Sequence, residues 1–246
     1  MKNCIIAQGG LVDWLIIIKK LSLDINLNVK FILGSDQGKS DANKYFPDTY
    51  YYKNSFAKNC YIPKELGNLI SQDKTDIFFK KLDIYKNNYL KMLDRFNADG
   101  SLSIKKRLLF FNNHAIFWRN LIQKKKINLV FFRIAPHQAY DFLLYAVCRI
   151  MKVKTVMFEK TNLPNLIFPV KSYENVKDEI DKIKSSEKIS NDNNNFLRKV
   201  NSNYNEGMPP HVRFKLKKFQ GGNYPTFFRH IVKKLPQLIV NLFFKK

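Results

Sequence analysis

A histidine and an aspartate stand four positions apart in the segment APHQAYD, Ala135 to Asp141. On a helix this spacing places both side chains on the same side, so the carboxylate could orient the imidazole and stabilise its charged form. A histidine held in this way is suited to take a proton from a hydroxyl near neutral pH. The alternative is that His137 caps the helix and Asp141 favours its positive end. Pro136, at the end of an apolar run, favours a positioned corner.

Three more polar corners directly follow apolar runs of the chain. They are Gln8-Gly9-Gly10 with Asp13, Gly34-Ser35-Asp36, and Glu159-Lys160-Thr161. In an open parallel sheet, ligands gather outside the carboxyl ends of the strands, where loops and helix N-termini offer free N–H groups. The sequence therefore predicts one cleft that is lined by these corners. Its catalytic candidates are His137, Asp141 and Asp13, and its substrate-binding candidates are Gly9, Gly10, Ser35, Pro136 and Glu159.

The glycine pair Gly9-Gly10 has two interpretations. It could bring the backbone close to a phosphate, or it could satisfy a tight turn. The surrounding QGGLVDW lacks the G-x-G-x-x-G fingerprint, and the chain has no G-x-x-x-x-G-K-[ST] phosphate loop.

No histidine or cysteine pair has metal-ligand spacing, and no G-x-S-x-G elbow is present. Neither a metal nor a bound cofactor is expected.

Apolar runs predict the elements that position these corners. Strands are predicted at 3–7, 29–33, 129–134 and 153–158, with amphipathic helices after the first and third. Two strand-helix-strand units are separated by a loop with one short strand at 34–63 and a helical region at 62–125. This order predicts an α/β fold, with a Rossmann-like, mainly parallel sheet over residues 1–170 and a helical insertion.

The chain changes character after residue 170. Residues 171–206 read as a polar helix and linker, and 207–246 as a basic, amphipathic, helical tail with nine Lys+Arg and no acidic residue. Such a tail could pack against a protein partner or lie on an anionic membrane.

The net charge of +23 allows two explanations. Lysine, asparagine and isoleucine rise together in AT-rich coding DNA, and 35 of the 43 basic residues here are lysine. An acidic partner, such as an anionic lipid surface or a phosphorylated sugar donor, is the other explanation. Specific nucleic-acid binding has only charge in its favour, because few of the basic residues are arginine and the sequence has no recognisable binding module. Three cysteines without a pairing pattern and an N-terminus unlike a signal peptide favour a reducing cytoplasm.

The segment from Ile127 to Pro164 resembles bacterial capsule and surface-polysaccharide biosynthesis proteins. Pro136, His137, Asp141 and Tyr145 match that pattern, as does the strand 154–158. The resemblance implies the N-terminal, acceptor-side half of a GT-B-type glycosyltransferase, with His137 or Asp13 as the base. A second domain or subunit would hold the nucleotide sugar, and a glycan or lipid-linked acceptor would receive the sugar. The alternative is a non-catalytic interaction subunit, or an inactive remnant, that binds a partner domain or an anionic membrane through the basic tail.

Overall fold

The computed structural model describes residues 2–70, 76–95, 100–160 and 167–172. The chain divides into two units, Met1–Met157 and Phe158–Lys246. The first unit contains all candidate site residues except Glu159. The predicted linker and basic tail lie almost entirely outside the described residues.

The described strands and helices follow one another in a mixed α/β order. The strands are β1 (Lys2–Ala7), β2 (Leu27–Gly34), β3 (Tyr50–Lys53), β4 (Leu129–Phe132), β5 (Lys154–Lys160) and β6 (Ile167–Val170). The helices are α1 (Val12–Asp24), α2 (Lys39–Tyr45), α3 (Asn54–Lys58), α4 (Asp76–Asp94), α5 (Ile104–Lys124) and α6 (Ala139–Ile150), with a 3-10 helix at Lys64–Leu69.

In the first unit, strands β1 to β4 and the first four residues of β5 form a parallel sheet in the order β3-β2-β1-β4-β5. Strand β1 lies between β2 and β4. The chain adds β2 and β3 on one side of β1 and then returns to add β4 and β5 on the other side. Residues Cys4 to Ala7 of β1 are fully buried. Unbroken apolar runs are typical of such parallel strands, because both faces of the sheet are covered by helices.

An aromatic cluster fills the space between helix α5 and strands β2 and β3. The rings of Phe31, Tyr52, Phe117 and Trp118 have centroid separations of 4.7 to 6.2 Å, mostly in tilted or edge-to-face arrangements. Such contacts add about 0.5–1.5 kcal/mol per pair beyond simple burial. The helical region thereby becomes part of the core that supports the sheet.

The prediction of an α/β fold with a mainly parallel sheet is confirmed. The region predicted as loop with one short strand differs, because it also contains α2 and α3. Both helices are short, with seven and five residues, and Gly, Asp, Asn and Lys hide their periodicity. The predicted helix after the third strand is α6, and it begins only at Ala139, because Gln138 is still extended, with φ −111° and ψ 153°.

Candidate functional site

The strand order reverses between β1 and β4, and two loops leave the carboxyl ends of these strands. We call residues 8–11 and 133–138 together the β1/β4 corner. In open parallel sheets, such a reversal is the usual place for a ligand, because the neighbouring loops diverge to opposite faces. The first loop leads into α1 and the second into α6.

The side chain of Gln8 bridges the two loops of the β1/β4 corner. Its Oε1 accepts a hydrogen bond from the backbone N–H of Ile134 at 2.9 Å, and its Nε2 donates to Oδ2 of Asp141 at 2.6 Å. Gln8 has a left-handed backbone, with φ 61°, which costs a non-glycine residue about 1 kcal/mol. A glycine would avoid this cost, but both hydrogen bonds would be lost. We conclude that the Gln8 amide holds the ends of β1 and β4 in a fixed relation.

Asp141 is fully buried in the first turn of α6. Its Oδ1 accepts a hydrogen bond from the backbone N–H of Gln138 at 2.8 Å, while Oδ2 accepts from Gln8. Burial raises the pKa of this carboxyl to about 6, because desolvation outweighs the hydrogen bonds from Gln8 and Gln138 and the charge of His137, all of which favour the ionised form. Asp141 is therefore a structural acceptor that starts α6 and fixes Gln8.

His137 is exposed at the same corner. Its Nδ1 lies 3.2 Å from the carbonyl oxygen of Ala135. A carbonyl oxygen can only accept, so this contact requires the proton on Nδ1 and leaves Nε2 of the neutral ring as the basic nitrogen. The expected hydrogen bond between His137 and Asp141 is not formed. The Asp141 oxygens accept from Gln8 and Gln138 instead. The two residues share the corner and interact only through their charges.

The glycine pair packs tightly against the end of β2 and the residue that follows it. A Cβ on Gly9 would lie 2.7 Å from Cγ2 of Ile32, and a Cβ on Gly10 would overlap Oγ of Ser35 and lie 2.6 Å from its backbone nitrogen. The Ser35 hydroxyl lies 3.4 Å from the carbonyl oxygen of Gly10, and its own carbonyl accepts from the Tyr51 hydroxyl at 2.6 Å. The space that glycine leaves free is thus filled by the protein itself, which favours the tight-turn interpretation.

The remaining candidates are distributed around these contacts. Asp13 is exposed in the first turn of α1, and Pro136 is buried beside His137. The side chain of Glu159 lies outside the described part of the chain. Of the predicted cleft residues, the structure brings Gly9, Gly10 and Ser35 together on the β2 side of β1. His137 and Asp141 lie on its β4 side.

Three residues at the corners were missed in the sequence. Gln8 belonged to a predicted polar corner but was not among the candidate site residues. Arg133, directly after β4, is half-buried, and its Nε has no hydrogen-bond partner among the described residues. Burial lowers the pKa of its guanidinium. Burial also raises the pKa of Tyr140, and the charges of Asp141 and Asp36 raise it further. The contacts of Gln8 and the burial of Arg133 and Tyr140 depend on the packing of distant segments, so the sequence alone does not show them.

Within the described ranges, no group of three or more His, Cys, Asp or Glu residues could hold a metal ion. In the same ranges, no helix is both long and apolar enough to cross a membrane. No protein-family model, curated protein or solved structure matches the chain significantly.

Proposed function

We propose that this protein is the acceptor-side half of a glycosyltransferase of capsule or surface-polysaccharide biosynthesis. The proposal rests on the resemblance of residues 127–164 and on one observation in particular. His137 is exposed at the β1/β4 corner, and its Nδ1 contact with Ala135 leaves Nε2 available to a substrate. The strand order, which matches that of Rossmann-like sheets, supports a ligand at this corner.

Transfer of a sugar to an acceptor hydroxyl requires a base close to that hydroxyl. An acceptor hydroxyl of a glycan or lipid-linked sugar would donate its proton to Nε2 of His137 while its oxygen bonds to the anomeric carbon of the donor sugar. The bond between that carbon and the nucleotide diphosphate breaks, and the diphosphate leaves with the electron pair. A second domain or subunit would hold the nucleotide sugar.

The other residues of the corner have supporting roles in this proposal. Asp141 and Gln8 are positioning residues. Their hydrogen bonds fix the loop that carries His137, but neither of them bonds to His137 itself. Arg133, whose Nε has no hydrogen-bond partner among the described residues, could meet an anionic group of either substrate. Asp13 is the alternative base, since it is an exposed carboxylate at the start of α1.

A non-catalytic interaction subunit is the second candidate function. The observation that favours it is the engagement of both Asp141 oxygens by Gln8 and Gln138, which gives the His-Asp spacing a structural explanation without catalysis. On this account His137 would be an exposed loop residue. The two candidates differ in what loss of the imidazole does.

Complementation in the native host separates them. We expect a strain that lacks the gene to make a surface polysaccharide with a missing or truncated repeat, and the wild-type gene to restore it. His137→Ala should fail to restore it, whereas Lys152→Ala, at an exposed position two residues after the end of α6, should restore it. Composition by mass spectrometry and protein level by immunoblot are the readouts. Full restoration by His137→Ala at equal protein level would leave the interaction-subunit account.

A further inference from the structure

Helix α4 exposes a face that combines large isoleucines with cations. Ile77 and Ile84 are 66% and 76% exposed, although both are large and apolar. They are seven residues apart, so they lie on the same side of the helix about 10 Å from each other along its axis. Lys81 lies between them and is also exposed. These exposed isoleucines have no role in the site described above.

Positive charge accompanies the isoleucines along the whole helix. At about 100° per residue, Lys80, Lys81, Lys91 and Arg95 all fall within about 60° of the line through Ile77 and Ile84. All four are exposed. We call these six residues, together with Arg149, the α4 face.

Acidic residues on α4 avoid this face. Asp83 and Asp94 lie about 90–110° away from the line through Ile77 and Ile84, and their carboxylates pair with Lys86 and Arg107. Neither of these two carboxylates forms an ion pair with a cation of the α4 face.

An open cavity of about 380 Å³ adjoins the face between α4 and the end of α6. It is lined by Lys81, Ile84, Tyr85, Arg149 and Ile150. Two cations at the rim of a partly apolar cavity suit an anionic head group that carries an aliphatic chain.

From this arrangement we propose that the α4 face docks on an anionic phospholipid surface. Protein interfaces are depleted in lysine at their cores, whereas helices that lie on membranes combine lysine or arginine with bulky apolar residues. The positive face complements the negative surface of anionic lipids. Isoleucine side chains would enter the head-group region while the lysine ammonium groups remain among the phosphates. The proposal does not depend on the transferase function.

The test is binding of the purified full chain to vesicles of phosphatidylcholine with and without phosphatidylglycerol. Wild type should bind the anionic vesicles and not the neutral ones. We expect Lys80→Glu/Lys81→Glu/Lys91→Glu to weaken this binding at least tenfold, and Ile77→Ser/Ile84→Ser to weaken it severalfold. Lys20→Glu/Lys44→Glu/Lys124→Glu makes the same change in charge at exposed positions elsewhere, and Leu23→Ser replaces a residue that is 75% exposed. Both controls should bind within about twofold of wild type.

A second measurement reports on insertion. The native tryptophans, Trp14 and Trp118, are buried, so a tryptophan placed by Ile84→Trp should be the one quenched by brominated phosphatidylglycerol. Circular dichroism checks that each variant is folded. Absence of binding to anionic vesicles would overturn the proposal. Equal loss in the control and α4-face variants, or binding removed only by deleting residues 207–246, would also overturn it.

Discussion

Replacing Gln8 with leucine should loosen the β1/β4 corner, because one amide connects both of its loops. Leucine resembles glutamine in size but cannot hydrogen-bond. The backbone N–H of Ile134 and one oxygen of Asp141 would both lose their partner. The substitution therefore tests whether this amide, rather than general packing, holds the corner.

The magnitude follows from the two hydrogen bonds. A net contribution of about 0.5–1.5 kcal/mol is typical of a neutral hydrogen bond, and about 1.5–3 kcal/mol of one to a charged group. Gln8→Leu should therefore lower the free energy of unfolding by about 2–4 kcal/mol. The pKa of Asp141 should rise further above about 6, because the Gln8 hydrogen bond favours the ionised carboxylate.

Urea unfolding followed by tryptophan fluorescence measures this loss. Both tryptophans are buried in the first unit, so the signal reports on the part of the chain that contains the corner. A cycle with Asp141→Asn isolates the pair, and we expect a coupling energy of about 1–2 kcal/mol. Carbon-13 NMR of the Asp141 carboxyl follows its titration. Additive single substitutions together with an unchanged Asp141 titration would refute the reasoning.

Two further predictions concern packing and acid stability. Gly10→Ala should lower the free energy of unfolding by about 1–3 kcal/mol through overlap with Ser35, whereas Gly67→Ala, with no atom within 4 Å, should change it by less than about 1 kcal/mol in urea titrations; equal effects would contradict the packing of the glycine turn. Burial lowers the pKa of His114 to about 4, so the stability linked to its neutral form is present above pH 6.5 and lost as the pH falls through about 4. Asp141 acts in the opposite sense, because its raised pKa makes stability decrease as the pH rises from about 4 to about 6. Urea titrations across this range should show that His114→Gln removes up to about 3 kcal/mol of acid sensitivity; parallel curves for the variant and wild type would disprove it.

The sheet was predictable because its strands are unbroken apolar runs. Cys4 to Ala7 and Leu129 to Phe132 are buried throughout, so their sequences carry the signal of parallel strands directly. The short helices α2 and α3 were not predictable. Their contacts with other elements, rather than an apolar period, stabilise them.

For the candidate site, the shared position of His137 and Asp141 was predictable, but the hydrogen bonds of Asp141 were not. Spacing placed His137 and Asp141 at one corner, and the structure keeps them there. Spacing could not show that Gln8, which lies 133 residues earlier in the chain, would donate a hydrogen bond to the Asp141 carboxylate. This bond depends on β1 and β4 being neighbours in the sheet, which is a property of the strand order rather than of either segment.

The most direct test of the central claim is sugar transfer in vitro. An extract of the host strain that lacks the gene supplies membranes, acceptors and any second subunit, and purified wild-type protein is added with radiolabelled nucleotide sugars. We expect wild type to restore label in the glycan or lipid fraction, and His137→Ala to lower the rate at least a hundredfold while Lys152→Ala leaves it unchanged. A His137→Ala protein that transfers label at the wild-type rate would contradict the account.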